Sequence, residues 1–167
     1  MERSKKIAIL AHCILNCNSK VVGLSGYKSS IKEIINKYMN EDIAIIQLPC
    51  PEFTFLGLKR WGMTKEQYMH NKYRNHCREL LMPYVEQIKM YLEEGYEIIE
   101  YMGVDHSPSC GVNYSCRGYL GGDVCNGRNS IETVSEEMGV FTEEFKALLD
   151  KEGISISFKA IDEKEYY

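Results

Sequence analysis

Four short apolar runs divide the chain: Lys6–Ala11, Ile43–Leu48, Ile98–Val104 and Ile154–Ala160. Runs of this length, rich in branched aliphatic residues and bounded by polar or turn-forming ones, predict buried β-strands. Between them the apolar positions recur at helical spacing. Ser29–Met39 places Ile31, Ile34, Ile35 and Tyr38 on one face, with Ser29 or Ser30 as the cap. A longer helical pattern runs from Thr64 to about Glu94, opened by a capping box of Thr64 with Gln67 and followed by Gly95. Pro83 interrupts it, predicting either a kink or two abutting helices. Further helices are expected over Ser130–Met138 and Thr142–Lys151.

The remaining segments read as loops. Cys13–Gly26 is rich in turn residues, the prolines of Pro49-Cys50-Pro51 forbid further regular structure, and Gly111–Gly127 predicts a long functional loop or lid containing Cys116 and Cys125. The alternation is therefore βαβαβαβ. Helical crossovers between successive strands favour parallel pairing with right-handed connections. The expected fold is a single three-layer, Rossmann-like α/β domain over residues 1–167, with a mainly parallel sheet and a ligand site at the carboxyl ends of its strands.

Composition narrows the function classes. The chain has 167 residues, 44% hydrophobic and 26% charged, a net charge of −4 and a pI near 5.6. No broad basic field is present, so a nucleic-acid polymer is not an expected partner. No apolar stretch approaches the roughly 20 residues that span a bilayer, and no signal-peptide pattern opens the chain. A cytoplasmic protein without a membrane partner is expected. Seven cysteines then point to metal or redox chemistry rather than to stable disulfides.

Cys13, Cys50 and Cys110 each follow the end of an apolar run. In a parallel sheet those ends share one edge, so three thiolates converge and can hold a metal centre with one position open. No Cys-x-x-Cys pair exists; Cys13 and Cys17 are separated by three residues and Cys110 and Cys116 by five, which fits neither a zinc knuckle nor ferredoxin spacing. Three strand-end ligands on a four-iron cluster would leave one iron free as a Lewis acid. Glu52, on backbone stiffened by Pro49 and Pro51, is a candidate general acid or base. Ser107 and Ser109, flanking Pro108, are candidates for orienting a substrate. His12 or His106 could instead activate Cys110 as a nucleophile. Lys59-Arg60 is either a solvated pair or an anion contact, and His70, His76 and Cys77 read as helix surface or packing residues.

Three segments, Ala11-His12-Cys13-Ile14-Leu15-Asn16, Pro49-Cys50-Pro51-Glu52 with Gly57-Leu58 and Arg60 behind it, and Ser107-Pro108-Ser109-Cys110-Gly111, resemble in order and spacing the motifs of the thiouracil desulfidase family. The resemblance spans about residues 6–127. It implies a small α/β enzyme with a 4Fe-4S cluster held by Cys13, Cys50 and Cys110, whose fourth iron takes the sulfur of a small-molecule thio substrate. Glu52 would transfer the proton as C=S becomes C=O, and Ser107 or Ser109 would position the substrate. The chain departs from the commoner family pattern at His12 and Cys17, where a Leu-Gly step and an Arg-Tyr-Asp-Gly stretch are usual. The aromatic segment Phe53–Gly62 also lacks the usual Pro-Arg pair. Two other readings stay open: a cluster-free cysteine hydrolase or transferase, and a non-enzymatic metal carrier or thiol sensor using Cys17, Cys116 and Cys125.

Overall fold

A computed structural model describes residues 2–122 and 133–166. Four strands, β1 (Lys6–Leu10), β2 (Ala44–Gln47), β3 (Glu97–Val104) and β6 (Ser157–Ile161), form an all-parallel sheet in the order β2-β1-β3-β6. The four apolar runs are these strands, with ends shifted by at most three residues. β1 pairs with β2 on one side and β3 on the other, so successive crossovers leave it in opposite directions. That reversal is the topological switch at which open α/β sheets bind ligands.

Helices cover both faces. Neighbouring residues of a strand point to opposite sides, and β3 shows which helix takes which side. Glu100 accepts a 2.6 Å hydrogen bond from Tyr38 of α2 (Lys32–Asn40), whereas Tyr101 packs edge-on against Phe145 of α6 (Val140–Lys151), ring centres 5.3 Å apart. α2 starts at Ile31 with no side-chain cap, so neither Ser29 nor Ser30 caps it. Glu100 is 3% exposed and is also held by Lys159 at 2.5 Å, which meets the requirement that a buried carboxylate be paired.

The long helical pattern divides, but not at Pro83. α4 (Lys65–Tyr68) and α5 (Asn71–Glu93) are separated at His70, whose extended backbone and Nδ1, accepting from Tyr73 N at 3.2 Å, cap α5. α5 then continues through Pro83. Gly95, at φ +74°, ends it as expected, with Tyr96 N bonded back to Tyr91 O at 2.9 Å.

Other expectations fail in instructive ways. Pro51 does not forbid regular structure; it opens α3 (Pro51–Leu56) from the first helical position, where a missing N–H costs nothing. The Cys13–Gly26 segment holds α1 (His12–Leu15) and a 3-10 turn at Cys17–Ser19. The Gly111–Gly127 stretch contains β4 (Ser115–Arg117), paired antiparallel with β5 (Thr133–Ser135). β5 also takes the middle of the helix expected over Ser130–Met138, whose last three residues are not helical and whose first three lie outside the described residues. Ladders of three residues carry too little alternation to be read from sequence. Cys125 lies outside the described residues. Among the described residues, no helix is long and apolar enough to cross a membrane.

Gly103, near the end of β3, lies where the following loop folds back, and Val104 N donates to Cys110 O at 3.0 Å. A Cβ on Gly103 would meet Cys110 O at 2.3 Å and Val112 at 2.8 Å. Gly103→Ala should therefore destabilise the protein by about 1–3 kcal/mol, read as a lower urea midpoint with an unchanged slope.

Candidate functional site

The carboxyl edge of the sheet opens into a cavity of about 500 Å³, within the range of small-molecule sites. Cys13, Cys50, Cys110, Glu52 and Ser107 all line it. Each arrives by a different local device. Cys13 sits in α1 directly after β1, where Ala11 N still bonds to Met102 O at 2.9 Å and carries the pairing past the strand end. Cys50 follows β2 and caps α3, its Sγ accepting from Phe53 N at 3.5 Å. Cys110 lies in a loop that Ser107 and Asp105 organise.

In that loop Ser107 Oγ accepts from Cys110 N at 3.0 Å and Ser109 N at 3.3 Å. Asp105 Oδ1 accepts from Val112 N at 3.0 Å and Asn113 N at 2.9 Å, tying the chain behind Cys110 to the end of β3. Asp105 was not singled out from sequence; an Asp at a strand end before a Ser-Pro-Ser turn is the signal that identifies it. The two serines separate. Ser107 faces the cavity, whereas Ser109 is fully buried with its Oγ 2.8 Å from the Tyr73 hydroxyl.

Glu52 stands in the first turn of α3, and Arg60 Nε donates to its Oε2 at 3.3 Å. Arg60 is 7% exposed and also donates to Ser19 O at 2.7 Å, so it is neither a solvated partner of the exposed Lys59 nor a vacant anion contact. Tyr68 packs beside this pair; burial, then the Glu52 charge, pushes its phenol well above the usual range. On the far wall Glu163 from the C-terminal turn pairs with Lys20 and accepts from Tyr27 Oη at 2.6 Å. These residues were also missed, because nothing local marks Glu163 as a partner of the loop after Cys13.

Neither histidine engages a cavity thiol, although His106 lines the cavity. His12 Nδ1 is 2.9 Å from Ser19 Oγ, and His106 stacks on Tyr114 with Nε2 3.6 Å from Asp162. Neither ring is hydrogen-bonded to Cys13 or Cys110. Burial pushes all three cavity thiols upward, and neighbouring negative charge adds to it: Glu163 for Cys13, Glu52 for Cys50, and Cys13 with Cys50 for Cys110. Thiols in such surroundings stay protonated at neutral pH unless a positive group joins them.

The remaining thiols have other positions. Cys17 donates to Tyr27 O at 3.2 Å, Cys77 is buried inside α5, and Cys116 lines the cavity near Met63 O. Among the described residues, no three His, Cys, Asp or Glu side chains form a group able to hold a single metal ion. A second cavity, beside Pro49 and Pro83, is lined by neither cysteine nor histidine.

The profile of a family described as "Putative 2-thiouracil desulfurase" matches residues 5–119. An uncharacterized protein of Methanocaldococcus jannaschii is 38% identical over 118 residues, covering 71% of this chain and 74% of its own length. No solved structure matches the chain.

The raised thiols give a direct test. In metal-free folded protein at pH 7, Cys13, Cys50 and Cys110 should alkylate with iodoacetamide far more slowly than in urea-unfolded chain. The unfolded chain's rate should level off above about pH 9, just past the ordinary thiol range, whereas the folded rate should still be climbing there; peptide mapping after timed quenching reads it.

Proposed function

The chain belongs to the 2-thiouracil desulfurase family, and we propose that it is an iron–sulfur desulfidase. It replaces C=S by C=O in a small thiolated nucleobase or related thio compound and releases hydrosulfide. The observation that carries this reading is the convergence of Cys13, Cys50 and Cys110 from three strand ends on one cavity that also holds Glu52 and Ser107. The donor set fits the group. Three desolvated thiols beside carboxylates are poor nucleophiles, yet they are good ligands for a cationic centre that compensates their charge as thiolates. When bound, a 4Fe-4S cluster held by these cysteines supplies a sulfur-seeking Lewis acid.

The protein's own groups would do the rest. Glu52, oriented by Arg60, takes a proton from the water that adds to the thiocarbonyl carbon and delivers it as the C–S bond breaks. One water is consumed, hydrosulfide and a proton leave, and no net oxidation or reduction occurs. Ser107 accepts from two backbone N–H groups, which leaves its own O–H to donate to a polar ring atom of the substrate. Val21, Val22 and Leu24 give the cavity an apolar wall suited to a planar ring.

Anaerobic reconstitution should give about four irons per chain and a visible charge-transfer band. Cys50→Ala should lose both the band and thiouracil turnover; a fully active variant overturns the reading. Glu52→Gln should keep the iron but lose about 10²–10⁴-fold in kcat, measured by hydrosulfide release.

A further inference from the structure

The cavity's cations are Lys20 and Arg60, together with His106 when protonated, and each faces a carboxylate: Glu163, Glu52 and Asp162 respectively. Asp105 adds a further negative charge, engaged by backbone N–H groups rather than by a cation. A Lys left unpaired in such a place would be a ready phosphate contact. Here the ammonium is held beside Glu163, with the two side chains only 14% and 12% exposed. Glu163 is fixed in turn by the Tyr27 hydroxyl, itself 3.0 Å from Cys13 O. Glu163 also lies well beyond residue 119, where the family match ends.

We infer that Glu163 is a specificity-determining residue: by cancelling Lys20 at the cavity wall it closes the site to anionic, phosphorylated ligands and leaves it open to uncharged ones. The inference rests on the reading of this cavity as the place where the thio compound binds. Its chemistry is simple electrostatics. Removing one carboxylate while keeping Lys20 turns a paired cation into a free one inside a partly desolvated wall, where charge is weakly screened.

Glu163→Gln is the informative variant, because its amide oxygen still accepts from Tyr27 and the loop behind Cys13 keeps its anchor. Calorimetry on the full chain, with inorganic phosphate, uridine 5′-monophosphate and uracil as probes, reads binding without turnover. Phosphate and the monophosphate should bind at least about tenfold more tightly to Glu163→Gln than to wild type, a change of roughly 1.4 kcal/mol. Uracil should stay within about twofold. The gain should vanish in Lys20→Met/Glu163→Gln. Glu163→Ser should repeat the gain if the Gln variant folds poorly, which a thermal melt will report. The inference is overturned if wild type binds the monophosphate as tightly as uracil, if neither variant gains, or if the gain survives loss of Lys20. Failure of the desulfidase reading would show separately, as wild-type protein that holds iron and leaves thiouracil unchanged.

Discussion

Parallel pairing of β1 with β2 on one side and β3 on the other brings three strand ends into line, and each is followed within a few residues by a cysteine. The pairing outlasts the strands themselves: Leu48 N bonds to Leu10 O and Ala11 N to Met102 O, both at 2.9 Å. The departure points of the three loops are therefore held by the sheet, and the loops need only short local devices to turn their thiols inward. A proline at the first position of α3 and a Ser107 hydroxyl under the Cys110 turn are such devices. A rigid scaffold with short loops is how a site gains precision.

Electrostatics at this edge follow from burial. The interior accepts charges only in matched sets, and the structure supplies them: Arg60 with Glu52, Lys20 with Glu163, and beyond the cavity Lys65, 2% exposed, with Glu137 and Glu143. Glu137 is held down to about 2 by Arg117 and Lys65 against the cost of its burial. The cavity thiols are the exception. They are pushed upward together, the pull of Lys20 on Cys13 and of Arg60 on Cys50 falling short of burial and the nearby negative charge, which is the imbalance a metal group would remove.

The strands were legible because buried parallel strands read as uninterrupted apolar runs, and the cysteines because they adjoin those runs. Their convergence required only the assumption of a parallel sheet. What stayed hidden was set by contacts distant in sequence or by signals too short to repeat. Pro83 looked like the breaker of the long helical pattern, yet the break falls at His70, where a ring nitrogen caps the next helix. β4 and β5 have three residues each and no periodicity to find. Tyr27 and Glu163 are 136 residues apart, and no local pattern joins them. The Ser107 and Ser109 pair looked equivalent because sequence carries no information on which hydroxyl the β3 loop turns inward.

A site assembled from Cys13, Cys50, Cys110 and Glu163 also has a history during synthesis. Parallel strands have no hairpin shortcut, and their contacts form late because they close long stretches of chain. While the chain is still emerging, the first two cysteines exist without the β3 loop, and all three exist before the C-terminal turn can dock on Tyr27. The cavity wall is therefore complete only once β6 has joined β3 and the turn behind it has carried Glu163 to Tyr27, so the last residues made close a site whose thiols were among the first.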